Sequence, residues 1–546
     1  MFPWLTALIA WPLLAALATV LTGAGTGRPA AGLTGSGRFG APAARIVALV
    51  GSLVEVGLLV GAFLAFDTSR AAEHQLTETH EWIPGLGASY AVGVDGVGML
   101  LVGLSVGLVP LVILAAWKEQ AGDFPRLRSY MATVLVLEAF TVAVFAARDV
   151  FLFYVLFEAM LIPAYFLIGG FGQGAQRRYA AVKFLLYSLA GGLIMLVAVI
   201  SLYLQVPAAD RGPQTFLTAN LVNLDLDNTA GRLMFCAFFL AFAIKAPMVP
   251  VHSWLPDASE NATPGTSTLL ICVLDKVGTF GMLTLCLPLF PEAARWAAPV
   301  IVVLAVVSIL YGAILAIGQT DLLRLIGYTS VSHFGFIILG IFTFTSTGTA
   351  GSSLMMLNHG ISTGALFLVA GFAISRHPTR SQRIADYGGL RTVAPILGGS
   401  FLVAGLSAAA LPGLATFVSE ILVFLGSFTA NHAAAVIAVP AVVLASLYVL
   451  LTYQRMFTGT VPAGLAPDGK VPDLDARERT VAGVFVAALL VLGFIPSLGL
   501  RFVDAPASTT IEQVGVSDPS PVLGTSAALR TENVITESVT TVEVAA

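Results

Sequence analysis

Apolar runs of about twenty residues follow one another along the chain, with Gly, Pro and charged breaks between them that hold most of the charged residues. This pattern predicts fourteen membrane spans, at residues 2–21, 44–66, 97–117, 129–147, 150–170, 182–205, 232–260, 265–288, 298–317, 325–344, 353–375, 393–428, 433–454 and 480–499. The expected fold class is an all-α polytopic membrane protein. The opening run, Met1 to Leu21, has no basic start and no small-residue cleavage site, so it reads as a retained span rather than a signal peptide. From Asp504 onward the chain is rich in Ser, Thr, Val and Glu, and residues 504–546 are expected to form a poorly ordered outer tail.

Two of the runs are longer than a straight crossing requires. Residues 232–260 contain Pro247 and Pro250 near their middle, and residues 393–428 contain Pro412. Each is expected to be a discontinuous helix, which hydrocarbon tolerates only where the freed backbone is buried in protein or lines a hydrated cavity. They are the seventh and twelfth spans, five apart, and a unit of five crossings must invert when it repeats. The expected organisation is therefore three leading spans in 1–128, a first five-helix repeat in 129–288, an inverted second repeat in 298–455, and a last span at 480–499.

Composition sharpens the class: 57% of residues are hydrophobic and only 11% charged, so the placement of charge says more than the net value of −4. With the N-terminus placed outside, Lys and Arg in the connections divide 17 on the inner side against 7 on the outer, while Lys183, Lys245 and Lys276 fall within spans. The positive-inside bias then puts both termini outside. Cys236, Cys272 and Cys286 lie in apolar runs without metal-type spacing and read as small core residues.

The chemistry lies in charges that the apolar runs should exclude. The stretch AIKAPMVPVHSWLPDASENATP, Ala243 to Pro264, puts Lys245 at or just before a proline break and well inside the hydrocarbon. A charge near mid-bilayer costs at least ~2.5–3.5 kcal/mol, so such a group needs a partner or a function. Glu158 sits near the centre of span 5, Lys276 midway along span 8, His333 and His359 inside spans 10 and 11, and Glu420 beyond the Pro412 break. An acid, two bases, two imidazoles and an acid in helix order make a candidate proton relay. A lysine in apolar surroundings holds its proton less firmly and a nearby carboxylate restores the hold, so a partner's approach can switch its charge. The secondary candidates are Glu138 in span 4, Asp149 as a cap at the start of span 5, Lys183 as a snorkelling residue of span 6, and Asp257. His333 and His359 also fit satisfied core histidines. No Walker A pattern, CxxC pair or metal-spaced His pair is present, and the GGFGQG at 169–174 lacks the strand context of a dinucleotide site. No cofactor or metal is expected in this chain.

Five runs carry a specific resemblance: FYVLFEAMLIPAYFLIGGFG in span 5, FAIKAPMVPVHSWLPDA in span 7, QTDLLRLIGYTSVSHFGF into span 10, LNHGISTGALFL in span 11 and LPGLATFVSEILVFLGSF in span 12. Together they resemble the antiporter-like, proton-pumping subunits of respiratory complex I. The resemblance implies that Glu158 is the helix 5 glutamate, Lys245 the broken-helix lysine, Lys276 the helix 8 lysine, and His333 and His359 the central histidines. Sister chains L and N, like the subunits of multisubunit sodium/proton antiporters, generally put a lysine in helix 12. A third type puts a glutamate there, where Glu420 stands. The implied function is proton translocation coupled to quinone reduction elsewhere in NADH:quinone oxidoreductase, a non-redox translocase role with no complete catalytic site in this chain. NADH, FMN, Fe–S clusters and quinone are then expected in partner subunits. The implied partners are other membrane subunits, including chains L and N, and the lipid bilayer, with no nucleic acid; the implied location is a bacterial inner membrane.

Departures from the family pattern are Leu323 and Arg324 where a basic pair is common, Asp275 before Lys276 where an apolar residue is expected, and Leu414 to Thr416 beside the span 12 break. Two other classes are open on sequence: a sodium/proton antiporter subunit, and a structural membrane spacer with vestigial charges.

Overall fold

In hydrocarbon every backbone N–H and C=O must be answered within the protein, so each apolar run closes into a helix. The computed structural model describes residues 2–22, 40–118, 124–222, 224–465 and 471–518. In chain order these form α1 (Trp4–Leu21), α2 (Gly40–Ala65), β1 (Gln75–Ile83), β2 (Ala88–Val94), α3 (Gly96–Ala115), α4 (Phe124–Ala146), α5 (Val150–Gly169), α6 (Arg177–Gln205), α7 (Asn228–Lys245), α8 (Trp254–Asn261), α9 (Pro264–Leu289), α10 (Pro291–Ile317), α11 (Leu322–Phe342), α12 (Ser346–Arg376), α13 (Pro395–Ala408), α14 (Ala415–Ala430), α15 (His432–Phe457), α16 (Ala476–Phe494) and α17 (Ser497–Val514). Helices α9 and α11 are almost wholly enclosed by the others, whereas α1, α2 and α15 present most of their surface outward. The two enclosed helices carry Lys276 and His333.

Among the described residues, twelve helices are long and apolar enough to cross a membrane, or thirteen if the pair α16 and α17, bent by 61°, counts as one span. The count of fourteen is thus reduced. The run 393–428 occurs as two helices of 14 and 16 residues, each too short to qualify alone.

Both interruptions are stitched by side chains. At the first, α7 stops at Lys245 and helix resumes at Trp254; Pro247 and Pro250 have no N–H to continue the ladder. The Ile244 carbonyl left over accepts from Trp254 Nε1 at 2.9 Å, and the Val249 N–H donates to Ser308 Oγ of α10 at 3.0 Å. At the second, Gly413 has φ +90, a conformation open to glycine, and Ala410 also lies in the left-handed region at φ +54. There the Ala415 carbonyl accepts from Asn358 Nδ2 at 2.8 Å, and Ser407 Oγ bonds Thr416 Oγ1 at 2.9 Å across the gap. Helix α9 runs on without a break but holds two wide π-type turns, Leu270–Leu274 and Met282–Cys286, one on either side of Lys276.

Two elements depart from the sequence expectation. Between α2 and α3 the chain forms an antiparallel hairpin of β1 and β2, anchored to α1 by Thr6 Oγ1, which contacts Glu78 Oε2 at 2.5 Å and Tyr90 Oη at 2.8 Å. The supposed tail is helical through Val514: α17 buries Phe502, Val503, Ala507, Ile511 and Val514. These residues make one apolar stripe on an otherwise polar helix, a pattern that a search for continuous apolar runs passes over. The remainder of that tail, residues 519–546, lies outside the described residues.

Arg376 at the end of α12 and Glu478 in the first turn of α16 pair at 2.6 Å, and both are almost fully buried. Glu478 also closes a capping box with Asp475. Glu478→Gln leaves the guanidinium without its counter-charge and is expected to cost about 3 kcal/mol. A lowered thermal unfolding midpoint of the purified protein checks this; an unchanged midpoint contradicts it.

Candidate functional site

The six candidate residues come from six helices, and Lys276, His359 and His333 follow one another in space in that order. Glu158 lies on the face of α5 toward α6, where its carboxylate fills the space that a Cβ on Gly192 would need. Its Oε1 is buried without a hydrogen-bond partner. Lys245, the last residue of α7, is fully buried; its Nζ has no hydrogen-bond partner and lies 5.0 Å from the Phe157 ring centre and 5.5 Å from that of Phe184. Glu158 and Lys245 interact electrostatically, but they are not in direct ion-pair contact.

Lys276 is the best-anchored member. Its Nζ donates to the Ile271 carbonyl in the first wide turn of α9 at 3.0 Å and meets His359 Nδ1 at 2.6 Å, with the Phe334 ring centre 4.6 Å away. His359 and His333 have ring centres 5.0 Å apart, and His333 Nε2 reaches the Ala408 carbonyl at 3.0 Å, at the end of α13. A carbonyl can only accept, so His333 carries a proton on Nε2 and keeps Nδ1 as an acceptor. An ammonium on Lys276 likewise makes His359 Nδ1 the acceptor and puts its proton on Nε2. His359 Nε2 and His333 Nδ1 are the two ring nitrogens without partners. No hydrogen bond joins the two rings, which lie next to each other between Lys276 and the α13–α14 break.

Glu420 stands just beyond that break, buried on α14 with Tyr448 of α15 in electrostatic reach. Asn358, the neighbour of His359, donates to Ser419 Oγ, the neighbour of Glu420, at 3.3 Å. That bond ties α12 to α14 beside both candidate side chains.

The secondary candidates divide. Asp149 caps α5, accepting from the Leu152 N–H at 2.9 Å, and accepts from Ser89 of β2 at the same distance, so it is a structural anchor. Lys183 has partners that its apolar run does not show: its Nζ donates to Asp257 Oδ2 at 2.7 Å and to the Ser253 carbonyl at 3.0 Å. The other oxygen of Asp257 takes Arg324 Nη1 at 2.6 Å, and the same nitrogen meets Glu260 Oε2 at 2.7 Å. These four charges, from α6, α8 and α11, pin the short α8 in place. Glu138 is buried and has a second buried carboxylate, Glu55 of α2, as its electrostatic neighbour. Sequence reasoning missed Glu55. Its signal was available, a lone glutamate in an apolar run, but its partner lies two helices away.

No group of three or more potential metal ligands occurs among the described residues. Residues 147–445 match the family described as NADH:quinone oxidoreductase/Mrp antiporter, TM. Over 509 residues, 87% of this chain and 91% of the relative, the sequence is 47% identical to NADH-quinone oxidoreductase subunit M of Mycobacterium tuberculosis. The chain belongs to the subunit M family of NADH-quinone oxidoreductase. A chain of respiratory complex I from Thermus thermophilus superposes with a TM-score of 0.81 at 30% identity, covering 94% of this chain and all of that one. The Mrp complex from Dietzia sp. superposes with a TM-score of 0.78 at 23% identity, over 94% of this chain and all of that one, which shows the shared fold. Subunit M is thus the family in which Lys276, His359, His333 and Glu420 are to be understood.

Proposed function

We propose that this chain takes up protons from the cytoplasmic side and conducts them along Glu158, Lys245, Lys276, His359, His333 and Glu420, releasing them outside. The observation that carries this reading is the buried succession of Lys276, hydrogen-bonded to His359, and His333, packed against His359 and bonded to the Ala408 carbonyl at the α13–α14 break, with a buried carboxylate beyond it. Each member can both take and give a proton, and no redox group is needed for a step between them.

Energy has to come from elsewhere. Moving one charge against 100 mV costs about 2.3 kcal/mol, and this chain holds no reaction that supplies it. The role is that of a non-redox translocase subunit driven by quinone reduction in partner subunits, which carry NADH, FMN, Fe–S clusters and quinone. Neighbouring antiporter-like chains L and N belong to the same assembly, set in a bacterial inner membrane with both termini of this chain outside. The two interrupted helices stand fourth in the units 129–288 and 298–455, in keeping with an inverted pair that supplies one half-channel each.

Purification through an affinity tag on this chain tests the assignment. Co-purified chains that oxidise NADH and reduce a quinone support it. Recovery with antiporter subunits alone, without NADH oxidation, contradicts it.

A further inference from the structure

Asp275 precedes Lys276 directly and is completely buried, and neither of its carboxylate oxygens meets a donor. Its electrostatic neighbours are Lys276, Lys245 and Cys272. Backbone packing explains how a residue of α9 comes to face the end of α7. Gly278 lies three residues further along the same helical face, and a Cβ there would sit 2.6 Å from the Phe242 carbonyl oxygen, 2.7 Å from the Ala246 nitrogen and 2.9 Å from the Ala246 Cβ. That close approach, open only to glycine, sets the Asp275 face of α9 against the last turn of α7, which ends at Lys245.

Charge balance points the same way. Lys245 and Lys276 are both fully buried, and an isolated cation in such surroundings is costly. The acidic groups acting electrostatically on Lys245 are Glu158 and Asp275, and Asp275 acts on Lys276 as well. Lys276 is bonded onward to His359, but no hydrogen bond among the described residues joins Lys245 to Lys276. Asp275 is the buried carboxylate that neighbours both.

We propose that Asp275 is the proton-exchanging link between Lys245 and Lys276. The carboxylate takes a proton from the Lys245 ammonium, leaving a neutral amine and a carboxylic acid. The acid then gives that proton to the neutral Lys276 amine, which becomes the ammonium and restores the carboxylate. Nothing is oxidised or reduced, and one positive charge has moved from α7 to α9. The proposal rests on the proton-conducting reading above, and its rival role for Asp275 is a permanent counter-ion.

The test is proton translocation per NADH oxidised in vesicles containing assembled complex, with Asp275→Asn, Asp275→Glu and Lys276→Met compared with the parent. Asn is nearly isosteric with Asp but cannot exchange a proton, so Asp275→Asn is expected to lower translocation at least about tenfold, while Asp275→Glu retains part of it. Normal translocation by Asp275→Asn beside a defective Lys276→Met overturns the link and leaves the wider reading intact. Normal translocation by Lys276→Met overturns the wider reading itself. If Asp275→Asn fails to assemble, infrared difference spectra of the parent and the Asp275→Glu complex on reduction by NADH decide. A protonated-carboxyl band that shifts between the two supports the link, and the lack of any such band identifies a permanent counter-ion and overturns it.

Discussion

In vesicles containing the assembled complex, Glu420→Gln is expected to lower proton translocation per NADH oxidised by about tenfold or more, whereas Glu420→Asp keeps a measurable part of it. The ordering follows from what each side chain can do. Gln preserves length and polarity but cannot exchange a proton. Asp keeps the acid and loses reach. Glu420 is buried on α14 beyond the α13–α14 break, and in the proposed pathway this carboxylate is the next acceptor after His333, which bonds the Ala408 carbonyl at the break. A residue needed only for packing or for a neutral hydrogen bond reverses the ordering, because Gln is then the closer substitute. Gln outperforming Asp, with assembly checked separately, removes Glu420 from the pathway.

Glu158→Gln and Gly192→Ala are expected to lower translocation together, the first by about tenfold and the second several-fold. Gly192 matters because the Glu158 carboxylate occupies the volume its missing Cβ would take. An alanine there drives the carboxylate away from its present position relative to Lys245. Helix propensity works in the opposite sense, since Ala favours an α-helix over Gly by up to ~1 kcal/mol, so a loss of pumping is not explained by a weakened helix. Proton translocation beside quinone reductase activity is the readout. A Glu158→Gln complex that pumps like the parent makes this carboxylate structural at most, and a Gly192→Ala complex that does so shows that its position is not critical.

How much of this was legible in the sequence depends on whether the signal is local. Lys245, Lys276, His333, His359 and Glu420 stand out because each interrupts a run that hydrocarbon requires to be apolar. Pro247, Pro250 and Pro412 mark where the helical ladder loses donors, and α7 and α13 do end there. The pairings were not legible. Lys183 reads as a snorkelling lysine until Asp257, seventy-four residues on, is seen beside it. Glu55 and Glu138 meet only because α2 packs on α4, and nothing in either run specifies that contact. Asp275 was visible as a departure from the family pattern, yet its meaning depends on Gly278 admitting α7 so closely. The α17 stripe and the β1–β2 hairpin escaped for a different reason. Both are amphipathic and too polar to register as spans, and their burial comes from the membrane helices they cover.

The central claim is that protons pass through the interior of this chain, and Lys276 is where its two halves meet. It joins the Ile271 carbonyl of the first wide turn in α9 to the histidine pair that leads toward Glu420. Methionine has nearly the same length and apolar bulk but no exchangeable proton, so Lys276→Met removes the function while filling the space. The decisive measurement is the number of protons translocated per NADH oxidised by the assembled Lys276→Met complex in sealed vesicles. A ratio well below that of the parent is predicted, and a ratio equal to the parent's contradicts the account.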